Sequence, residues 1–519
     1  MKNHFLLFLI VTLIAVFGVR QSLNFALNGD DWQALYFYLT RFTDFQSHFD
    51  IKNFSTGVSN YTFAHIIMGL IYQVFSFDPF SYYFVSMILR TFAAISFYPA
   101  IHAATKDQLA AILSSVFFAT MFTGIETTNW VFNMNTYISI SLFNLFLYFY
   151  YLKDFSAFSK RNLLTASVLG LSFIFTQNRM HGLLFIIPLL TLSKLKNFKT
   201  TNLISVFVTS AILYLPILTY RFLTRSTNDI VYLNYSIQTL REFPTLVLSI
   251  LSSVGNAILP DKIYAFFNIS EVLKSLLIFA FISLLLFSLF KKAFNSQKYF
   301  FSFICLLIPV FFLIIPLTVS GAPGVLPSDH RYLIIPGAYI LASFAIFLSE
   351  LLKSKKQIYK NLSIILITLI ISINFISLLR YFDNLSNSGR LDKDATKQYN
   401  FIKSQINKPN PDSPVAFLFV TDNPTYLYNA ITFGFTYHLM LVDKRFTLDF
   451  QKSAFPADNI ESLIDVLSGP QSKELYRYGY EPVQIPLKNV YVFSLKNKIL
   501  TNITLQTREY LEQKLPNLK

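Results

Sequence analysis

The stretch NGDDW, residues 28–32, follows a few residues after the first apolar run of the chain. It places two adjacent carboxylates, Asp30 and Asp31, beside Trp32, whose ring prefers the boundary between water and lipid. The preceding run, residues 5–23, is long enough to cross a membrane. Residues 5–19 lack a small-residue cleavage site, so they are predicted to be a retained first helix. The pattern predicts acidic groups held at a membrane surface.

The composition is that of a membrane protein. Of 519 residues, 53% are hydrophobic and only 14% are charged, whereas a soluble domain carries about 25% charged residues. The formal net charge is +15, but the basic residues fall in short loops between apolar runs, which is typical of cytoplasmic loops and not of a nucleic-acid groove. The one cysteine, Cys305, lies inside an apolar run, so neither a disulfide framework nor a thiolate metal cluster is expected.

Apolar runs predict about eleven transmembrane helices, because each can cross about 30 Å of hydrocarbon. They are residues 5–23, 81–104, 108–123, 133–152, 162–177, 182–198, 201–223, 273–290, 299–320, 332–351 and 361–381. Basic residues alternate between loops, and the positive-inside rule then places the N-terminus in the cytoplasm and the C-terminus outside.

Two of the predicted outer loops are long, residues 24–80 and residues 224–272. Each contains an apolar stretch, residues 61–77 in the first and LVLSILSSV (246–254) in the second. Both stretches are predicted to lie on the membrane surface as interfacial helices. In the first loop, Asp78-Pro79 is predicted to end that helix.

The composition changes after residue 381. Residues 382–519 are polar and contain strand-like runs at 415–420, 446–450 and 490–495, with helix-like stretches at 394–406 and 505–515. The sequence therefore predicts a transmembrane domain over residues 1–381 and a small extracytoplasmic α/β domain over residues 382–519.

The acidic residues of the outer loops are candidates for chemistry. Asp30 and Asp31 could bind a divalent cation or act as a general base toward a hydroxyl. Alternatively, Asp30 caps a helix that begins near Trp32. Capping explains one carboxylate and leaves the second unexplained. Glu126 is the lone charge of the outer turn TGIETTNW (123–130). It could share a metal or position an acceptor, or it could cap a helix.

Basic residues return to the same side in NRMH (178–181) and DHRY (329–332). Arg179 and Arg331 suit a phosphate group, because a guanidinium donates two parallel hydrogen bonds and stays charged. The alternative is an arginine that reaches from the bilayer to the interface. His330 is a weaker candidate of the same group.

Arg90 lies about nine residues into the second predicted span, and therefore near its middle. A charge at that depth normally faces the interior of a bundle. It could form an ion pair there, or it could reach a phosphate from below.

Taken in order, these stretches resemble the GT-C superfamily of integral-membrane glycosyltransferases, which use polyprenyl-phosphate sugars as donors. The resemblance is carried by DDW (30–32), by residues 61–90 with the break FDP (77–79), by QNRMHG (177–182) running into LLFIIPLL, and by DHRYLIIP (329–336). It covers most of residues 1–350.

The resemblance implies a multi-pass, GT-C-like fold in the cell membrane and a mannosyl- or arabinosyltransferase-like reaction at its outer face. Asp31 or Asp30 would be the general base, with Glu126 as a further catalytic carboxylate. The lipid phosphate would be held by Arg331, with Arg179, His330 and Arg90, or by a Mg²⁺ or Mn²⁺ ion on Asp30 and Asp31. The outcome would be inversion.

The implied acceptor is a lipid, a glycan or a protein. Two other functions stay open at this point. A transporter or flippase for lipid-linked saccharides predicts charges buried in several spans. A polymerase or ligase of surface polysaccharide would differ in the length of its product.

Overall fold

The computed structural model describes residues 2–44, 46–50, 62–152, 160–176, 186–192, 208, 210–216, 218–219, 241–293, 296–319, 324–387, 394–406, 416–422, 438, 441, 454–457, 459–461, 464, 488, 490–497 and 499–514. The chain divides into two compact units. The bundle unit comprises Met1–Ser22, Asp44–Ile67 and Tyr83–Arg380, and the sheet unit comprises Leu23–Thr43, Met68–Tyr82 and Tyr381–Lys519. The domain boundary after residue 381 stays a prediction.

In chain order the described helices are α1 (Lys2–Val19), α2 (Asp30–Arg41), α3 (Thr62–Phe75), α4 (Pro79–Thr105), α5 (Gln108–Thr120), α6 (Glu126–Asn129), α7 (Asn135–Leu152), α8 (Lys160–Thr176), α9 (Ile186–Leu192), α10 (Phe243–Ile258), α11 (Asp261–Phe266), α12 (Glu271–Ala293), α13 (Gln297–Val319), α14 (Ile334–Leu352), α15 (Gln357–Asn387), α16 (Asp394–Gln405) and α17 (Thr504–Lys514). The strands are β1 (Ala416–Thr421), β2 (Ala454–Ala457), β3 (Val490–Lys496) and β4 (Ile499–Asn502).

Several helices have the length and apolar composition of membrane spans. Among the described residues five qualify: Phe5–Asn24, Pro79–Thr105, Gln297–Ile314, Arg331–Leu352 and Gln357–Leu385. Together with the C-terminal sheet they confirm the predicted class, an α-helical multi-pass membrane protein with a small α/β portion. The number of eleven spans and the cytoplasmic N-terminus stay predictions.

The predicted break at Asp78-Pro79 separates α3 from α4. Ser76 has a positive φ of 56°, which ends α3. The Asp78 carboxylate then accepts hydrogen bonds from the Ser81 hydroxyl at 2.7 Å and the Ser81 amide at 3.3 Å. Pro79 stands at the first position of α4, where its missing N–H costs nothing. Asp78 and Pro79 therefore form the N-terminal cap and first residue of α4, as the break in the sequence predicted.

One end of the bundle unit is held by Asp107. This carboxylate is 3% exposed and accepts hydrogen bonds from backbone amides at the start of α5. It also accepts the Ser349 hydroxyl at 2.5 Å and lies 2.6 Å from the Lys353 ammonium. Lys298 at the start of α13 bridges Asp107 to Glu350. The beginnings of α5 and α13 are thus tied to the end of α14.

The sheet has the strand order β2-β1-β3-β4, with β1 parallel to both neighbours and β4 antiparallel to β3. One face packs Leu418, Val420, Val490 and Val492 against Leu511 of α17. The other face stacks Phe417 on Tyr491 and Phe419 on Phe493, and Phe401 of α16 lies against Phe493. The strands predicted at 415–420 and 490–495 are confirmed, while the one at 446–450 lies outside the described residues.

Candidate functional site

The two predicted catalytic aspartates open α2 in the sheet unit. The helix begins at Asp30, directly after Gly29, whose φ of 52° a glycine adopts readily. Asp31 is fully buried, and its Oδ2 accepts a hydrogen bond from the Asn28 backbone amide at 3.0 Å. Asp30 is half-buried. The expectation that Asp30 caps a helix starting near Trp32 is therefore wrong, because the helix starts two residues earlier and Asp31 makes the backbone bond.

Trp32 packs inside the sheet unit. Its ring is 4% exposed, and its Nε1–H donates to the Leu27 carbonyl at 3.0 Å. The His438 ring stands edge-on to it with a centroid separation of 4.4 Å, and Tyr399 lies 4.8 Å from His438. Trp32 is thus a packing residue of the sheet unit, and its position at the boundary between lipid and water stays a prediction.

His438 was not among the predicted site residues, since a single histidine in an apolar stretch gives no local signal. Its side chain is 6% exposed. Burial, with a smaller contribution from the charge of Lys403, lowers the pKa of His438 to about 4. The imidazole beside Trp32 is therefore neutral at physiological pH.

In the bundle unit, Glu126 and Arg331 form an ion pair. The Glu126 Oε2 accepts hydrogen bonds from the Arg331 guanidinium and from the Arg331 backbone amide, both at 3.2 Å. The side chains are 17% and 21% exposed, so water reaches both only in part. The guanidinium lies 4.6 Å from the ring centroid of Trp130, where the ring face attracts a cation. Carboxylate and ring together fix the direction of the guanidinium.

Backbone contacts bring these two residues together. The Gly124 amide donates to the Ser328 carbonyl at 2.9 Å, and the Glu126 amide donates to the Asp329 carbonyl at 3.0 Å. Gly124 has a φ of 74°, and a Cβ at this position would lie 2.5 Å from the Ile334 backbone nitrogen. Only glycine fits such a conformation at this distance. The turn after α5 is thus joined to the segment that starts α14.

His330 has a local role in this segment. Its Nδ1 accepts a hydrogen bond from the Tyr332 backbone amide at 3.2 Å and caps the short 3₁₀ turn Arg331–Leu333. His330 therefore orders the turn that presents Arg331.

Arg90 is fully buried. Its guanidinium donates to the Met121 carbonyl at 2.6 Å, to the Tyr137 hydroxyl at 3.2 Å and to the Thr128 hydroxyl at 3.3 Å. No ion pair joins it to a carboxylate of the described residues. The guanidinium therefore faces the interior of the bundle unit, as expected, beside the end of α5 and the start of α7. Its depth in the membrane stays a prediction.

Arg179, the remaining predicted phosphate ligand, lies outside the described residues. For the predicted divalent cation, the described part of the chain offers no group of three or more His, Cys, Asp or Glu side chains placed to hold a metal. In that part of the chain Asp30 and Asp31 belong to no such group.

The comparisons with known proteins give structural likenesses only. No family model matches the chain, and no curated protein matches it. One is a solved oligosaccharyltransferase from Archaeoglobus fulgidus in complex with Zn and sulfate, which is 14% identical in sequence with a TM-score of 0.44. The match covers 94% of this chain and 67% of the oligosaccharyltransferase chain. Another is ArnT from Cupriavidus metallidurans bound to undecaprenyl phosphate, which is 10% identical with a TM-score of 0.43. That match covers 93% of this chain and 97% of the ArnT chain. The chain is thus similar, at low identity and over most of its length, to these two proteins.

Proposed function

We propose that the protein transfers a sugar from a polyprenyl-phosphate donor to an acceptor hydroxyl. The observation that carries the proposal is the oriented guanidinium of Arg331, which precedes the apolar helix α14 and is held by Glu126 and Trp130. A guanidinium at the head of a membrane-spanning helix can bind a phosphate whose lipid tail runs along that helix.

In this proposal a carboxylate of the Asp30–Asp31 pair is the general base. It takes the proton of the acceptor hydroxyl as the oxygen attacks the anomeric carbon, and the lipid phosphate leaves with the electron pair of the broken bond. Asp30 is the first candidate because it is half-buried and can meet the acceptor, whereas Asp31 is buried. A single displacement of this kind inverts the anomeric centre.

The remaining predicted site residues take supporting roles. Glu126 positions Arg331, and His330 orders the turn in which Arg331 lies. Arg179 and Arg90 stay candidate phosphate ligands. Asp30 and Asp31 also stay the candidate ligands of a Mg²⁺ or Mn²⁺ ion.

The test is sugar transfer by purified protein in lipid nanodiscs, assayed with a set of radiolabelled undecaprenyl-phosphate hexoses and pentoses. We expect Asp30→Asn to lower turnover by about 100-fold or more and to change the KM for the donor little. Arg331→Gln should mainly raise that KM. Asp44→Asn is the matched control, because Asp44 is an exposed acid of the same loop. Full turnover in both Asp30→Asn and Asp31→Asn would remove the base assignment.

A flippase of lipid-linked saccharides is the second candidate, because it predicts buried charges in several spans. Lys274 of α12 is a second buried cation besides Arg90, with a side chain that is 1% exposed. It forms an ion pair with Glu271 at 2.7 Å. A fluorescent lipid-linked saccharide that crosses proteoliposomes without changing chemically would favour this candidate. Products that carry many sugars would instead indicate a polymerase.

A further inference from the structure

Asn256 of α10 is a buried amide that forms hydrogen bonds on both of its sides. Its Nδ2 donates to the Leu326 carbonyl at 2.7 Å, and its Oδ1 accepts from the Lys274 ammonium at 2.9 Å. Both side chains are buried. A carbonyl only accepts and an ammonium only donates, so a single orientation of the amide satisfies both partners. Lys274 therefore holds the amide nitrogen of Asn256 toward Leu326.

The residues 326–331, here called the presenting segment, are held to α10 and α11 by three further hydrogen bonds. The Leu326 amide donates to the Ser253 hydroxyl at 2.9 Å. The Ser328 hydroxyl donates to Oδ1 of Asp261 at 2.7 Å and accepts from the Asp261 backbone amide at 3.2 Å. Both backbone groups of Leu326 and the side chain of Ser328 are thus fixed by these two helices.

The presenting segment leads directly to the ion pair of Arg331 with Glu126. Two of its carbonyls accept from amides of the turn after α5, as described above. The His330 amide donates to the Pro327 carbonyl at 3.0 Å, which closes a turn within the segment. Because the segment is bonded at each of these points, a displacement of Leu326 is expected to reach Arg331, five residues later.

The stability of the fold does not require this polar arrangement. Burying an ammonium and its partners costs free energy of hydration, and well-packed apolar residues of similar volume often leave a protein as stable or make it more stable. Hydrogen bonds depend on direction, whereas apolar contacts do not. The contribution of Asn256 and Lys274 is therefore a fixed position of the presenting segment.

We propose that Asn256, oriented by Lys274, is a positioning residue for Arg331. It fixes the presenting segment against α10 and thereby sets where the guanidinium meets the phosphate of the donor. Asn256 acts through the backbone of the segment and not on the phosphate itself. The phosphate role of Arg331 rests on the proposed function, whereas the ordering of the segment by Asn256 rests on the contacts above.

The variant that tests the proposal is Asn256→Asp, which keeps an oxygen for Lys274 and removes only the donor to the Leu326 carbonyl. Hydrogen–deuterium exchange of full-length protein in nanodiscs should become about fivefold faster in residues 326–331. The Kd for undecaprenyl phosphate should rise about fivefold. The apparent Tm should change little, because the new carboxylate pairs with Lys274. A purely structural residue would instead lower the Tm and leave the Kd unchanged.

Glu271→Gln is the matched control. It alters the other partner of Lys274, keeps an oxygen that can accept from the ammonium and leaves both hydrogen bonds of Asn256 in place, so exchange and Kd should stay at their wild-type values. Lys274→Met replaces Asn256→Asp if that variant does not fold. It removes the ammonium that orients the amide, so it should show the same faster exchange and weaker binding.

Arg331→Gln separates this proposal from the proposed function. If Asn256 acts through Arg331, Asn256→Asp should weaken binding no further in the Arg331→Gln background. An equal further loss there, or wild-type exchange in the folded Asn256→Asp protein, would overturn the positioning role. If exchange becomes faster but Arg331→Gln binds undecaprenyl phosphate as the wild type does, the phosphate role of Arg331 fails and the ordering of the segment by Asn256 stands.

Discussion

Arg331 donates twice to the same oxygen of Glu126, once from its backbone amide and once from its guanidinium, although 205 residues separate the two in sequence. The backbone bond fixes where the 3₁₀ turn begins, and the side-chain bond fixes where the cation points. The carboxylate also neutralises part of the charge that a phosphate would meet. Glu126 therefore orients Arg331 and weakens its attraction for anions at the same time.

Glu126→Gln separates these two effects. Glutamine keeps an oxygen that can accept both hydrogen bonds, but it removes the negative charge. We expect a small loss of stability, about 1 kcal/mol, and an affinity for undecaprenyl phosphate that rises about threefold or more. Binding in nanodiscs measures the affinity, and Glu271→Gln, which removes a carboxylate that pairs with another cation, serves as the control. Weaker binding by a folded Glu126→Gln protein would show that the carboxylate assists the phosphate.

Gly124→Ala tests the junction behind the ion pair. An alanine Cβ would lie 2.5 Å from the Ile334 backbone nitrogen, at a φ of 74° that side chains rarely adopt. We expect a loss of about 2–4 kcal/mol in the free energy of unfolding, seen as a lower apparent Tm. Gly324→Ala is the control, because nothing lies within 4 Å of a Cβ there. Equal Tm values for the two variants would contradict the close approach.

Asp107 should make the free energy of unfolding depend on pH in the acid range. Burial raises the pKa of this carboxyl, but the bonds from Lys298, Lys353 and Ser349 outweigh burial and hold the pKa below its ordinary value. A lowered folded-state pKa gives stability that is present above about pH 4 and lost as the pH falls through the folded value. Asp107→Asn should therefore cost about 2 kcal/mol at pH 7. The Tm difference from wild type should shrink below pH 4, and a constant difference would refute the assignment.

His438 should make stability depend on pH over a higher range than Asp107 does. Its folded pKa is about 4, below the unfolded value of about 6.5, so the unfolded chain binds the proton first as the pH falls. Stability should then be constant above pH 6.5 and decline between pH 6.5 and pH 4. At pH 5 the loss is about 2 kcal/mol. His438→Phe, which keeps a ring against Trp32, should remove this decline in apparent Tm. A decline unchanged in that variant would point to another group.

The helices of the bundle were predictable because long apolar runs fix them locally. The runs 81–104 and 299–320 became Pro79–Thr105 and Gln297–Val319, and Asp78-Pro79 marked its break correctly. The strands β1 and β3 were equally visible, since they are the buried centre of the sheet. The edge strands β2 and β4 are four residues long, and β2 contains Pro456, so neither carries a readable pattern.

The contacts within the candidate site were not predictable in the same way. Asp31 and not Asp30 is the fully buried carboxylate at the start of α2, and no local pattern distinguishes the two adjacent aspartates. The pairing of Glu126 with Arg331 depends on two turns far apart in sequence. His438 meets Trp32 only through the fold of the sheet unit. In each case the sequence names the residue types, but tertiary packing decides which atoms meet.

The Asp107 cluster also has a mechanical consequence. It joins α5, α13 and α14 at one end, and at their other end α5 leads to Glu126 while α14 begins beside Arg331. Helix α14 is 19 residues long, so about 28 Å separates its two ends. The Glu126–Arg331 ion pair and the backbone bonds beside it join α5 to α14 at this second end. Helices α5 and α14 are therefore cross-linked at both ends, and a displacement of one is expected to carry the other with it.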